Sequence, residues 1–285
     1  MDHKVTGMPT AAAAATVEDS SRFEFGRNWR SFLTVLNDDR ISEAEASLRQ
    51  TIGLDRIQGA TFLDVGSGSG LFSLAANRLG ARHVHSFDYD GDSVACTTTL
   101  RDRYARPGGS WTIERGSALD ADYLSRLGQF DIVYSWGVLH HTGAMWQALE
   151  QVTRLVKPGG MLVVAIYNDQ GPVSRGWTLV KRLFNSGVIG RSVVVATFVP
   201  YFIVRGLVVD CVRLRHPMTR YREYRRSRGM SMRHDWMDWL GGYPFEVATP
   251  EAIFEFYRTR GLTLEKLKTC GGGLGCNEFV FTRTC

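Results

Sequence analysis

Three glycines and an acid are the residues with the clearest chemical purpose. Gly66, Gly68 and Gly70 alternate in Phe62-Leu63-Asp64-Val65-Gly66-Ser67-Gly68-Ser69-Gly70, at the end of a short apolar run. Glycines at this spacing let backbone N–H groups close on a ligand, and the helix pattern that follows directs its positive end the same way. Asp88 ends the next apolar run, in Ser86-Phe87-Asp88, where a carboxylate can accept hydrogen bonds from a ribose diol. The spacing is Gly-x-Gly-x-Gly. A dinucleotide fingerprint, Gly-x-Gly-x-x-Gly, needs a glycine at the place held by Leu71. The pattern points to a nucleoside-bearing ligand and away from a dinucleotide oxidoreductase.

A second grouping is Ser135-Trp136-Gly137-Val138-Leu139-His140-His141. An imidazole with its ordinary pKa of about 6.5 accepts a proton from an amine, hydroxyl or thiol near neutral pH. His234, Asp235 and Asp238 stand at helical spacing, and we read them as pocket groups. No metal-binding pattern is evident, and none is expected. The five cysteines are odd in number and form no Cys-x-x-Cys pair, which argues for a reducing, cytoplasmic setting and against a zinc site.

The elements that must position these residues alternate. Strand patterns fall at Thr61–Val65, His83–Phe87, Trp111–Arg115, Phe130–Ser135 and Gly160–Tyr167, with helical patterns such as Leu71–Leu79 and Ser93–Tyr104 between them. Such a rhythm builds a parallel, doubly wound α/β sheet whose ligand sits at the carboxyl ends of the strands. The glycine turn, Asp88 and the histidine run all lie at those ends. Before the sheet, the aromatic stretch Phe23–Arg30 reads as a lid. After it, Val193–Val212 is strongly apolar. Pro200, Arg205 and Asp210 inside it disfavour a membrane span, leaving a buried or amphipathic helix pair as the first expectation and a membrane-surface helix as the second. Pro250–Arg260 reads as a helix, and Thr263–Lys268 and Asn277–Phe281 as an antiparallel strand pair.

Five further segments join the glycine turn: Asp88, Gly116-Ser117-Ala118-Leu119, Phe130-Asp131-Ile132-Val133, Leu155-Val156-Lys157-Pro158-Gly159-Gly160 and the terminal strand pair. In this order and spacing the chain resembles the class I S-adenosylmethionine (SAM) dependent methyltransferases, over roughly residues 60 to 168. The resemblance implies a seven-stranded, mostly parallel Rossmann-like sheet of order 3-2-1-4-5-7-6, carrying a helical cap after the fifth strand. It implies SAM as cofactor, with Asp64 ordering the turn near the methionine amino group and Gly66, Ser67, Gly68 and Gly70 lying against the ligand. By the same comparison Asp88 holds the ribose, Tyr89 packs on the adenine, and Ser117 and Ala118 meet the adenine edge. Where many relatives carry Asp, Ser117 stands, so Asp120 or a backbone carbonyl would replace that contact. Ser135 and Trp136 would touch the methionine moiety. In the family's Leu-x-His pattern the middle residue faces the reacting centre, which maps His140 to the active site and His141 to support of the loop.

The resulting expectation divides the chain into a disordered lead-in (1–20), an N-terminal helical lid (21–58), a SAM-binding core (59–168), a helical cap forming the acceptor pocket (169–248) and a closing helix with its strand pair (249–285). Trp29 from the lid, Tyr167 and Asn168 from the fifth strand, His234, Asp235 and Tyr243 from the cap and Asn277 from the last strand are expected to meet the acceptor. The expected function is methyl transfer to an oxygen or nitrogen of a small-molecule acceptor in a biosynthetic pathway. Arginines crowding 213–233 suggest an anionic acceptor. They also keep open a nucleic-acid methyltransferase. Ser135-Trp136-Gly137-Val138, standing where base-methylating enzymes carry Asn/Asp-Pro-Pro-aromatic, disfavours that reading, and a non-catalytic SAM-binding protein is the remaining alternative.

Overall fold

The computed structural model describes residues 23, 25–34, 36–214, 216 and 232–284; within them the side chains of 28, 232–235 and 238 are excluded. The expected lead-in, most of the arginine-rich segment and the side chains of His234 and Asp235 therefore lie outside the described residues.

Alternation of apolar runs and amphipathic segments produces one seven-stranded sheet of order β3-β2-β1-β4-β5-β7-β6. The strands are β1 (Thr61–Val65), β2 (His83–Asp88), β3 (Ser110–Arg115), β4 (Phe130–Trp136), β5 (Val156–Tyr167), β6 (Leu262–Lys268) and β7 (Cys276–Arg283). The first five run parallel, while β7 is antiparallel to β5 and β6. Leu63, Val65, Val133 and Leu162 face one helical layer, and Phe62, Val84, Ile132 and Val163 face the other, so neighbouring residues of one strand feed opposite cores. β5 begins earlier than the apolar pattern predicts, because Val156 pairs with Phe130 at the start of β4 before a register shift between Phe130 and Ile132.

The helices are α1 (Phe25–Leu33), α2 (Asp38–Ile52), α3 (Leu54–Ile57), α4 (Leu71–Arg78), α5 (Gly91–Tyr104), α6 (Ala121–Leu127), α7 (Met145–Arg154), α8 (Pro172–Phe184), α9 (Val188–Val212), α10 (Met232–Gly241) and α11 (Pro250–Arg258). Two sequence expectations change. Of the expected lid, only the stretch from Phe23 through α1 leans over the strand ends. α2 packs on α4 and buries Ile41, Ala44, Leu48 and Ile52 on the sheet's flank. The apolar stretch near residue 200 is neither buried nor a helix pair. It is one 25-residue helix that runs through Pro200, buries only Gly190, Val194 and Asp210, and is long and apolar enough to cross a membrane by length and composition.

At the opposite end of the strands from the ligand site, Asp131 ties the central strands β1, β4 and β5 together. Its carboxylate accepts from the Thr61 backbone N–H (2.8 Å), the Thr61 hydroxyl (2.7 Å) and the Lys157 ammonium (2.8 Å). Partial burial pushes this carboxyl up, but Lys157 and Thr61 outweigh it and hold it down at about 2. Gly160 is required beside it, since a Cβ there would meet the carbonyls of Lys157 and Asp131 at 2.9 and 3.0 Å. Asp131→Asn should lower stability by about 1–2 kcal/mol at pH 7, read from urea unfolding. Because the native carboxyl titrates below its ordinary value of about 4, the difference from wild type should be complete above that pH and vanish as pH falls through about 2. An undiminished difference at that acid limit would disprove the assignment.

Candidate active site

A cavity of about 1000 Å³ opens at the carboxyl ends of β1, β2, β4 and β5 and runs beneath α1 to α10. At one end the chain leaves β1 in a tight turn. The N–H groups of Gly66 and Ser67 bond back to the Phe87 carbonyl (2.9 and 3.1 Å), which frees the next turn to face the cavity. Gly66 and Gly68 have φ of 75° and 54°, and neither has room for a side chain: a Cβ at Gly66 would lie 2.3 Å from Val138, and one at Gly68 2.9 Å from the Trp29 indole. Trp29 is thus a roof over the glycine turn. Gly70 lies behind the turn as the N-cap of α4, outside the lining.

Asp88 connects the turn to the next loop. One carboxylate oxygen accepts from the Gly68 N–H and the other from the Asp90 N–H, both at 2.9 Å. Each oxygen keeps a second lone pair, which suits two neighbouring ribose hydroxyls. Asp90 then accepts from the Gly26 N–H (2.9 Å), which anchors α1, and from the Asp92 N–H (2.8 Å), which caps α5. Asp64 is positioned by a buried chain the sequence did not advertise. Ser73 donates to its carboxylate and shares a hydrogen bond with Ser86 (2.7 Å), and the Trp111 indole N–H donates to Ser86 (2.8 Å). Burial pushes the carboxyls up, to about 7 for Asp64, offset in part by Ser73, and to about 6 for Asp88, offset in part by the Asp90 and Gly68 N–H groups.

Tyr89, Ser117, Ala118 and Trp136 line the cavity as expected. Ser117 uses its hydroxyl to accept from the Leu119 N–H (3.1 Å). Asp120 caps α6 through the Tyr123 N–H (2.9 Å) and lies outside the lining, so it does not supply the substitute contact. Arg115, which spacing missed, donates to the Tyr89 carbonyl (3.0 Å) and lies 5.8 Å over its ring. Ser135 does not reach the cavity: strand alternation turns it inward, fully buried, to bond the Val65 carbonyl (3.1 Å).

At the far end the geometry exchanges the expected places of the two histidines. His140 is fully buried behind the cavity, its Nδ1 accepting from the Tyr167 N–H (3.3 Å). His141 lines the cavity between Phe25 and Tyr167, with ring centroids 5.0 and 5.5 Å away. The reversal follows from the short 3₁₀ turn Leu139–His141, which rotates successive side chains by about a third of a circle. His141 Nδ1 donates to the Pro244 carbonyl (2.6 Å), which fixes the tautomer and leaves Nε2 as an acceptor. Burial and the Lys181 charge push this imidazole down to about 3. Burial, His141 and Lys181 push His140 well below the ordinary range.

Tyr167, Trp236, Trp239 and Tyr243 complete this aromatic end. Behind them Lys181 is fully buried; its ammonium donates to the Trp239 carbonyl and sits 4.5 and 4.7 Å from the Trp239 and Phe245 rings. Trp236 and Trp239, three apart on α10, are a signal the sequence carried in its helical spacing. Asn168 and Asn277 lie outside the lining. They bond each other, Asn277 Nδ2 to Asn168 Oδ1 at 3.0 Å, and clamp the end of β5 to the start of β7. Among the described residues no three His, Cys, Asp or Glu are grouped to hold a metal ion.

The glycine cradle that a Cβ would fill and the paired lone pairs of Asp88 fit a nucleoside ligand. Asp88→Ala should weaken SAM binding by about 100-fold in calorimetry, the loss of two hydrogen bonds to a charged acceptor. In the wild type, donors on the ligand favour the ionised carboxylates, so binding should release protons and tighten as pH rises from about 5 to 8. A pH-independent affinity, or one unchanged in Asp88→Ala, would remove this assignment.

Comparison with known proteins agrees with the geometry. Residues 63–164 match the methyltransferase domain family. A protein of Mycolicibacterium gilvum described as an uncharacterized methyltransferase is 28% identical over 169 residues, 59% of this chain and 62% of that one. A ribosomal protein L11 methyltransferase of Streptococcus thermophilus is 30% identical over 125 residues, 44% of this chain and 35% of that one. The chain thus spans between about one third and two thirds of these curated relatives. Among solved structures, the magnesium protoporphyrin IX methyltransferase of Synechocystis, with bound S-adenosylhomocysteine, superposes with a TM-score of 0.53 at 12% identity, covering 90% of this chain and 94% of that one. The 1,6-didemethyltoxoflavin-N1-methyltransferase of Burkholderia thailandensis gives 0.52 at 17% identity, with 98% and 94% covered. Sheet order, the glycine turn with its acid and the match over residues 63–164 converge on a methyltransferase domain of Rossmann-like fold whose donor end fits S-adenosylmethionine.

Proposed function

We propose that this protein transfers a methyl group from SAM to an oxygen or nitrogen of a small, flat, anionic acceptor. The observation that carries the reading is the continuity of one cavity, from the glycine turn and Asp88 to an aromatic chamber containing His141. SAM supplies a methyl group already activated by its sulfonium, so the protein's task is alignment and removal of a proton. Trp29, Asp88 and the Gly66–Gly68 backbone orient the donor end. Tyr167, Trp239 and Tyr243 offer ring faces to a planar acceptor, and the buried Lys181 charge behind them favours an acceptor bearing a carboxylate, phosphate or phenolate. Such an acceptor also suits the two poles of the cavity, since Asp64, Asp88 and Asp90 place negative charge at the end where a cationic donor would sit.

The carbon–oxygen or carbon–nitrogen bond forms as the carbon–sulfur bond breaks, and the acceptor's proton passes to His141 Nε2. His141 is placed for this because its Nδ1 is committed to Pro244, which leaves Nε2 as the acceptor. Burial and the Lys181 charge make it a weak base by itself, so the role needs an anionic acceptor to offset that charge. Labelled SAM, offered with hydroxylated and aminated aromatic acids, should label one class of them. His141→Ala should lower kcat by about 10²–10³ while SAM affinity stays unchanged. No transfer to any such acid, with SAM still bound, would overturn the acceptor class. An unaltered kcat in His141→Ala would overturn the base.

A further inference from the structure

We propose that the α8–α9 pair docks this protein onto the surface of an anionic lipid bilayer, with α9 lying in the plane of the interface. α9 is 25 residues long, roughly 37 Å at an α-helical rise. One side packs inward through Val195, Phe198, Val199 and Phe202, against Phe184 and Leu240. On the opposite side Val193, Pro200, Val204 and Val208 recur at spacings of 7, 4 and 4, a single helical stripe. That stripe is open: Val193, Val204 and Val208 are 53%, 58% and 55% exposed. Val188 and Ile189 before it and Val212 and Leu214 after it extend the apolar surface, and Leu179 and Leu183 of α8 widen it. An apolar surface this long marks a site of association.

The sheet dictates how a membrane would be met. β1–β5 precede α9, while β6 and β7 follow it and pair into the same sheet on β5. Both ends of α9 therefore stay on one side of any bilayer, and a single crossing is excluded by topology. Charge selects the lipid surface over a second copy of the chain. Across residues 170–231 Lys and Arg outnumber Asp and Glu by 12 to 2; Lys181 and Asp210 are buried, which leaves 11 to 1. Arg191, Arg205 and Arg213 are exposed on or just beyond α9. Two copies face to face would oppose like charges, whereas lipid phosphates neutralise them while acyl chains receive the valines. The proposal stands apart from the identity of the methyl acceptor. Its consequence for that site is proximity, since Phe202 of α9 lies 5.7 Å from Trp236 in the cavity wall.

The test is flotation of the full chain with vesicles of phosphatidylcholine alone or mixed with phosphatidylglycerol. Wild type should float with the anionic vesicles, bind neutral ones at least about tenfold more weakly, and be released by salt. Val204→Glu with Val208→Glu should lower binding more than about tenfold, and Arg205→Gln roughly fivefold on anionic vesicles only. Circular dichroism and SAM affinity should remain those of wild type in both. Absence of flotation, or equal flotation of wild type and the glutamate variant, would overturn the proposal. So would a dimer in sedimentation velocity that the glutamates dissociate while vesicles bind nothing, a result that would assign the stripe to a second copy. Flotation with SAM bound but no methyl transfer would leave this proposal intact and count only against the proposed function.

Discussion

One short segment, Asp88-Tyr89-Asp90, holds the site together. The Asp88 carboxylate fixes the glycine turn after β1, and Asp90 fixes both the first turn of α5 and the start of α1. Three elements distant in sequence are thus referenced to the end of β2. The arrangement works only because β1 and β2 lie side by side and parallel, with Val65 in register with Phe87, so that their ends emerge together. Sheet order is therefore what creates the site, and the loops fill a position that strand pairing has already set.

The two ends of the cavity differ in polarity for separate reasons. At the β1–β2 end three aspartates are gathered by backbone N–H groups and by the Ser73–Ser86–Trp111 chain. At the far end Lys181 is buried among rings, where burying a charge is tolerated because the Trp239 carbonyl and the aromatic faces receive it. Burial and the Lys181 charge push both neighbouring imidazoles down.

The parallel α/β sheet, the glycine turn and Asp88 were legible in the sequence because each depends on local pattern: alternation of apolar runs, glycine spacing, an acid at a strand end. The strand order followed only from the family resemblance. The misreadings have equally physical origins. His140 and His141 exchanged places because a 3₁₀ turn, rather than an extended loop, carries them. Ser135 turned inward because within β4 it alternates with Tyr134 and Trp136, which take the cavity side. Asn168 and Asn277 found each other, a pairing across more than 100 residues that no local rule encodes. α9 shows the limit most plainly: its composition announces an apolar helix, but only packing reveals which side is covered.

The cap between β5 and α11 leaves and rejoins the core at a single point. The Asn168 N–H bonds the Gly275 carbonyl, the Ala248 N–H bonds the Tyr167 carbonyl, and Asn168 and Ala248 form an isolated parallel bridge. Its exit also serves the neighbouring helix, because Glu246 accepts from the Met145 N–H at the start of α7. The two stems are stitched side by side, so the cap meets the sheet at one place and otherwise bears on the loop that carries His140 and His141. A change in such a module can leave the donor half intact, but because Pro244 and Lys181 of the cap set the state of His141, the base and the choice of acceptor change together.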